Sequence, residues 1–537
     1  MNKNVQLVIP MSGQGKRFIK AGYTTPKPLI NVDGLPMVEH VLNLFPGVKN
    51  VFFVCDEKHL EETEMEKILK DICPTSKIFT ISNNDKGPVK AVHHIKDHLD
   101  DKLETIISYC DYGTDWNFDR FLADMRASDY DGGIPCYRGF HPHMLGTDNY
   151  AFCKEENKRL IKIKEKDPFT NNKMNEFASN GTYYFKSGSL VKKYFTKLID
   201  LDIKIKGEFY VSLVYNLLVE DGLSVGIFEI EKMLQWGTPY DLKIYQGWAK
   251  YFNNIQTPTP PISNPTETTL ILPMAGKGSR FVEEGYKDPK PLLDIDGLPM
   301  VIQAVNSLPQ SQNKIFICLD DHLKSTHLRK QLSASFPGCK IKSLDTTTDG
   351  YACTCEVGIN DFNVDIEKPL MVSPCDCGVF YDKEKYLRLV NDKTIDIVVW
   401  SFRDNQTSKL SPNSYTWLDV DENDFIKYVS CKKFIYDDPL RTHAVIGTIF
   451  FRKGRYFLEG LAANYEQNIR TNGEFCVDSI LNQSIKQGLN AKVFEVDNYI
   501  CWGAPNDYKT YNYWLDHFKQ KNNNYEMEIF KSRRTAG

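Results

Sequence analysis

VIPMSGQGKRFIKAGYTTPKPLINVDGLPMV, Val8 to Val38, is the stretch on which the reading of this chain turns. An apolar run leads into Ser12-Gly13-Gln14-Gly15, which is followed by Arg17 and by Lys27 between two prolines. Glycines after a strand let backbone N–H groups turn toward a ligand and approach it closely. A helix expected from about Lys16 would add its positive end. Prolines on both sides stiffen the backbone that carries Lys27. A phosphate chain is the ligand that such a loop with two cations would suit; the plainer alternative is a tight turn with a solvated lysine and a surface arginine. Two better-known loops are excluded. No Gly-x-x-x-x-Gly-Lys-Ser/Thr is present, and Phe18 stands where a dinucleotide fingerprint needs its third glycine.

The same sentence returns as ILPMAGKGSRFVEEGYKDPKPLLDIDGLPMV, Ile271 to Val301, with 18 of 31 positions identical. Phe281 again replaces the third glycine, and Arg280 and Lys290 keep their spacing. Weaker echoes follow in order: Cys110-Asp111 with Cys375-Asp376, Gly181-Thr182 with Gly447-Thr448, KGEFYVSLVYN with NGEFCVDSILN, and LQWGTPYDL with ICWGAPNDY. So long a period means a whole domain present twice. The expected boundaries are 1–252, a Pro/Thr/Asn-rich linker at 253–268, a second domain at 269–518, and a polar, loosely held tail at 519–537.

Within each copy short apolar runs alternate with amphipathic ones. Val5–Pro10, Val51–Cys55, Thr105–Cys110 and Gly181–Phe185 read as strands, Met37–Leu44 and Leu60–Ile72 as helices. This predicts an α/β fold, a mostly parallel Rossmann-like sheet with helices on both faces in each copy. The 537 residues are too many for one ordinary core. A hydrophobic share of 42% is that of a globular protein, and a formal charge of −4 argues against general nucleic-acid binding. No apolar run reaches membrane-spanning length. MNKNVQLVIP leaves no room for a signal peptide, so the 14 cysteines are expected as reduced thiols in the cytoplasm.

The joint motif Gly-x-Gly-x-Arg followed by Pro-Lys-Pro-Leu resembles the signature of sugar-phosphate nucleotidylyltransferases, the NDP-sugar pyrophosphorylases. The resemblance covers nearly the whole chain, in two copies. It implies a glycosyltransferase-A-like sheet, an NTP, Mg²⁺ and a phosphorylated acceptor as partners, and a role in supplying activated precursors for surface glycans. Carried over by residue, it places Met11, Ser12, Gly13 and Gly15, with Met274, Ala275, Gly276 and Gly278, around the triphosphate. Arg17 and Arg280 would grip the leaving pyrophosphate, and Lys27 and Lys290 the α-phosphate. Gly87 and Gly350 would face the base, and Asp111 and Asp376 would hold the metal. Tyr150, Glu165, Lys166, Gly181 and Thr182 would line the acceptor pocket, with Tyr415, Gly447 and Thr448 in the second copy. A homo-oligomer is possible within this family.

The chain departs from the pattern twice. Gln235 and Cys501 stand where many members carry a second metal-binding aspartate, so Glu208 and Glu474, or Asp241 and Asp507, are the alternatives. Ser430-Cys431 lies opposite Glu165-Lys166, with Lys432 or Lys433 available after a one-residue shift. The second copy therefore has a different or impaired acceptor pocket, or binds nucleotide as a regulatory module. A glycosyltransferase would need Asp-x-Asp, and only a single aspartate stands at each strand end. Cys353-x-Cys355 and Cys375-x-Cys377 are too closely spaced for most zinc sites. His141 and His143 read as loop residues.

Overall fold

A computed structural model describes residues 4–82, 86–255, 261–405 and 407–535, without the side chains of 254, 255, 407 and 522–535. The chain divides into two compact units, Met1–Lys250 and Tyr251–Gly537. No described helix is long and apolar enough to cross a membrane.

In the first unit the strands Lys77–Ile81, Asn50–Asp56, Val5–Met11 and Glu104–Ser108 lie side by side and parallel. Alternation along them sends side chains to two cores. Val8, Phe52 and Ile107 enter one cluster, while Leu7, Ile9 and Phe53 enter the other. Helices therefore cover both faces, as a strand apolar on every residue requires. Met37–Asn43 is helical as expected, but the segment read as one helix from Leu60 is two, Glu57–Glu62 and Met65–Ile72. Thr63 separates them, its hydroxyl accepting from the Met65 N–H at 3.2 Å.

The expectation of a mostly parallel sheet is corrected beyond Glu104–Ser108. Thr182–Phe185 joins antiparallel, and Gly132–Tyr137 pairs with it. From there Val225–Glu229, Arg159–Glu165, Ala151–Glu156 and Phe177–Ser179 run in turn and return to Gly132–Tyr137, closing a five-strand ring. The physical reason is a hairpin. Asn157 and Lys158, at φ 52° and 61°, turn Ala151–Glu156 directly into Arg159–Glu165, and strands so joined can only be antiparallel.

The second unit repeats this order of elements. Lys340–Leu344, Asn313–Leu319, Thr269–Met274 and Leu370–Val372 are parallel, and His443–Phe451 joins antiparallel. Ile397–Phe402 and Ala491–Glu495 continue the sheet, and the hairpin Trp417–Val420 with Ile426–Ser430 pairs onto His443–Phe451.

The two expected boundary segments contain ordered elements. Of 253–268, residues 256–260 lie outside the described residues, but Asn264 and Thr268 are buried, and the Asn264 amide donates to Ser311 Oγ at 2.8 Å. At the other end one helix, Pro505–Thr535, takes in most of 519–537; that stretch has no glycine or proline before Gly537 to break it.

Ile107 is fully buried on the strand that leads to Asp111. Ile107→Ala should cost about 2–5 kcal/mol through the cavity it leaves. The check is a lower urea midpoint for the first unfolding transition of the full chain.

Candidate functional site

The carboxyl ends of the parallel strands Val5–Met11 and Glu104–Ser108 open onto a cleft of about 610 Å³ in the first unit. Met11, Ser12, Gly13, Gly15, Arg17, Lys27, Gly87 and Asp111 all line it. Gly15 holds the left-handed conformation at φ 64°, where a Cβ would stand 3.4 Å from Lys27 Cβ. The helix after it, Lys16–Lys20, has only five residues. It is too short to supply much of the positive end expected of it. The loop's capacity for anions therefore rests on backbone N–H groups and cations.

Lys27 sits on a tight turn, Lys27–Leu29, entered from Pro26 at φ −53°. Its ammonium is ion-paired and hydrogen-bonded to Asp111 Oδ2. Arg17 is exposed at the cleft and makes no ion pair among the described residues. Gly87 is forced: at φ 94° it lies so near the backbone of Phe209 that a Cβ would meet its nitrogen at 2.8 Å. This close pairing brings Glu208 to the cleft wall.

Asp111 is followed by Tyr112–Asp115, which pairs with Lys232–Gln235. A Cβ on Gly237 would stand 2.8 Å from Asp111 Oδ2 and 3.3 Å from Gln235 Oε1. The carboxylate and the amide oxygen thus both lie against Gly237, whose N–H donates to Gln235 Oε1 at 3.3 Å. Asp241 is not on the cleft wall. Thr238 Oγ1 donates to Asp241 Oδ2 at 2.5 Å and accepts from its N–H at 3.1 Å, a capping arrangement at the start of Pro239–Ile255. Burial pushes the Asp241 carboxyl up to about 6 against the Thr238 bond and the Arg17 charge.

Tyr150, Glu165, Lys166 and Gly181 line the other end of the cleft. Glu165 Oε2 accepts from Ser212 Oγ at 2.6 Å, and Lys166 Nζ donates to Tyr210 OH at 2.5 Å. Burial raises the Glu165 carboxyl and lowers the Lys166 ammonium, and the two lie 3.9 Å apart. Thr182 stands apart from this group. It is fully buried, its hydroxyl bonded to Tyr112 OH, so it ties two strands together behind the cleft. Ser212, Tyr210 and Asn180 were not anticipated. Asn180 lines the cleft with its Nδ2 buried and without a partner among the described residues. Comparison of the two copies concealed these three, since the second copy has Asp478, Cys476 and Ile446 in their places.

The second unit has a cleft of about 470 Å³ lined by Met274, Ala275, Gly276, Gly278, Arg280, Lys290, Gly350, Asp376 and Glu474. Lys290 is ion-paired with Asp376. Burial opposes both charges, yet the pairing holds the Asp376 carboxyl below its usual range and the Lys290 ammonium above its own. Arg280 Nη2 donates to the Gly503 carbonyl at 3.2 Å. Tyr415, Gly447 and Thr448 are not on this wall. Tyr415 packs on Phe402 and Trp417, Gly447 packs against Pro374, and Thr448 is buried with its hydroxyl 2.8 Å from Ser373 Oγ.

The register between the copies also needs correction here. The Asn216 amide brackets Ile163, accepting its N–H at 3.0 Å and donating to its carbonyl at 2.9 Å. Asn482 brackets Val429 in the same way, at 2.9 and 2.8 Å. Lys166 and Lys432 share the left-handed turn position that follows, at φ 58° and 52°. So Cys431 stands opposite Glu165, Lys432 opposite Lys166, and Thr416 rather than Tyr415 opposite Tyr150.

Among the described residues no three His, Cys, Asp or Glu side chains gather as metal ligands. Cys355 belongs to one core cluster, Cys375 and Cys377 to another, and Cys353 lies beside Tyr465 OH at 3.3 Å. His141 precedes the short turn Pro142–Leu145, His143 lies within it, and both are packed inward. The Tyr137 ring lies 4.5 Å from His141, and His143 Nε2 is 3.0 Å from Tyr137 OH.

Residues 7–165 match the family model of the MobA-like NTP transferase domain, and this stretch holds the glycine loop, Arg17, Lys27, Asp111 and Glu165. The nucleotidyltransferase resemblance read from the motifs is thus present in the first unit. No curated relative matches the chain. Solved structures similar to it include the nucleoside-diphosphate-sugar pyrophosphorylase from Vibrio cholerae RC9, at 20% identity over 45% of this chain and 99% of that one, with a TM-score of 0.37. The inositol-1-phosphate CTP transferase from T. maritima is 16% identical over 46% of this chain and 95% of that one, TM-score 0.35. A UDP-glucose pyrophosphorylase from Acinetobacter baumanii is 14% identical over 48% and 99%, TM-score 0.37.

The two histidines generate a pH prediction. Burial lowers His141 to about 4, with Lys232 acting in the same direction, and His143 falls for the same reason beside His141 and Lys173. Below about pH 6.5 the unfolded chain takes up protons that the folded one refuses, so stability is lost as pH falls toward 4. His141 alone should cost about 2 kcal/mol between pH 7 and pH 5. Urea midpoints across this range should slope less for His141→Gln than for the parent.

Proposed function

We propose that the first unit transfers a nucleotidylyl group from an NTP to a sugar phosphate or similar phosphorylated small molecule. The observation that carries this reading is the convergence of Lys27 and Asp111 beneath the glycine loop, in the same cleft as Lys166. An acceptor phosphate oxygen attacks the α-phosphorus, the bond from that phosphorus to the β-bridging oxygen breaks, and pyrophosphate leaves with its charge. A phosphate needs no strong base to act as nucleophile, so the protein's work is to bring anions together in line. Arg17, exposed and without an ion pair among the described residues, receives the outer phosphates. Lys27, held by its prolines, stabilises charge at the α-phosphate. Lys166 and the Asn180 amide meet the acceptor.

Asp111 is the residue that would hold Mg²⁺, with Gln235 beside it on the same cleft wall. One carboxylate and one neutral oxygen, completed by phosphate oxygens, suit this hard cation. When bound, Mg²⁺ would neutralise phosphate charge and fix its geometry.

The test is pyrophosphate release by the full chain, with five NTPs against a panel of phosphorylated acceptors. Lys27→Ala should lower turnover by ~10²–10³, as loss of a transition-state cation does. Turnover equal to the parent's would overturn the assignment. Asp111→Asn keeps the side chain's shape and removes its charge. It should weaken Mn²⁺ binding in the presence of NTP, read by electron paramagnetic resonance, while the thermal melt stays that of a folded protein. An unchanged Mn²⁺ signal would move the metal to another carboxylate, Glu208 first.

A further inference from the structure

The two clefts share one half and differ in the other. The phosphate-facing half is common: glycine loop, arginine, Pro-Lys-Pro lysine and strand-end aspartate. In the acceptor half, under the register set by Asn216 and Asn482, three polar groups of the first unit are replaced. Glu165 becomes Cys431, Asn180 becomes Ile446, and Tyr210 becomes Cys476. Lys432 keeps the turn position of Lys166 but points away, donating to the Ser414 carbonyl at 2.6 Å.

The carboxylate itself has changed sides. In the first unit it is Glu165 on the strand, accepting from Ser212 on the helix. In the second it is Asp478 on the helix, accepting from Thr416 Oγ1 at 2.6 Å. Asp478, Thr416, Cys431 and Lys432 are all absent from the wall of the C-terminal cleft, which ends near Pro374. What this wall has gained is Tyr351, in the place of Pro88. Its hydroxyl is buried and has no hydrogen-bond partner among the described residues. A buried hydroxyl left without a partner is costly, so a ligand that reaches it from the cleft would be held by it.

We infer that the C-terminal cleft is a nucleoside-triphosphate site without an acceptor half: it binds an NTP, with Tyr351 OH donating to it, and does not transfer it. This rests on reading the glycine loop as a triphosphate cradle, as the proposed function does. A binding site needs only the shared half, while transfer needs an oriented second phosphate, and the lysine kept in the second unit's acceptor half, Lys432, is bonded to the Ser414 carbonyl instead.

The experiment is equilibrium dialysis of the full chain with α-labelled ATP, CTP, GTP, UTP and dTTP in Mg²⁺, beside pyrophosphate release. Lys27→Met/Asp111→Asn removes both members of the first ion pair, so neither charge is orphaned. In this variant, pyrophosphate release should fall to less than about a tenth of the parent's with every acceptor, a loss above 1.4 kcal/mol in transition-state stabilisation. Roughly one equivalent of NTP should stay bound, and Tyr351→Phe in that background should weaken its binding several-fold. Adding Lys290→Met/Asp376→Asn should abolish it. Release above that tenth would show transfer by the C-terminal unit and overturn the inference. So would a failure of the first variant, with a thermal melt matching the parent's, to retain any of the five NTPs. Should the variant not fold, the parent decides: two equivalents support the inference and a single equivalent overturns it. A parent that binds two equivalents and releases no pyrophosphate would defeat the transfer reading alone.

Discussion

The ion pair between Lys27 and Asp111 sets the geometry of everything near it. A lysine on a proline-braced turn and an aspartate just past a strand end meet in a half-buried position, 18% and 21% exposed at their side chains. Desolvating two charges there returns little net stability, so the pair is poor evidence of a device for folding. It does impose conditions on its surroundings. Gly15 must turn left-handed where its neighbour's Cβ is close, and residue 237 must lack a side chain for Asp111 to keep an open face. The pair Lys290–Asp376 makes the same demands of Gly278 and Gly503, where a Cβ would stand 3.0 Å from Asp376 Oδ2. In the proposed reaction those two opposite charges would meet a ligand that carries charge of its own.

Around this fixed half, the scaffold of the other half is preserved while its chemistry changes. The asparagine brackets at Ile163 and Val429 hold a strand to a helix through two hydrogen bonds each. Such a clamp fixes register, since a one-residue slip would reverse every side chain on the strand. With register fixed, Glu165 and Ser212 in one unit and Cys431 and Asp478 in the other become exchanges at corresponding positions. The carboxylate has moved from the strand to the helix, and its hydroxyl donor, Thr416, comes from the position of Tyr150 and not from that of Glu165.

Much of this was legible in the sequence, for identifiable reasons. The glycine loop, Arg17, Lys27, Asp111 and their counterparts are local or tied to strand ends, and period and composition expose such features. The parallel strands were readable because their residues are apolar on both faces. The closing ring was not, because its hairpin turns on Asn157-Lys158, a pair without the glycine that usually announces such a turn. Thr182 was misplaced because Gly-Thr marks a position along a strand, and nothing in the two letters tells which face the threonine takes. The acceptor register slipped by one because Ser430-Cys431 shares no residue with Glu165-Lys166. What settles it is Asn216 and Asn482, 53 residues away in each case. Their pairing with a strand is a tertiary fact.

The acceptor half of the first unit has a property that its residue types alone do not convey. Glu165 is pushed by burial toward its protonated form and Lys166 toward its neutral form, although each partly restrains the other. Burial thus opposes both charges here. In the proposed reaction an acceptor phosphate beside Lys166 would reverse this on the cationic side, because an anion nearby favours the ammonium. Lys166 already hydrogen-bonds to Tyr210 OH and lies 4.2 Å from the centre of that ring, so its position is set before a ligand arrives. Held in place and part-desolvated, it is worth more to an incoming phosphate than a lysine in water, whose hydration the phosphate would first have to displace. The same burial that makes the pocket uneasy when empty is what would let one cation discriminate a phosphorylated acceptor from its unphosphorylated form.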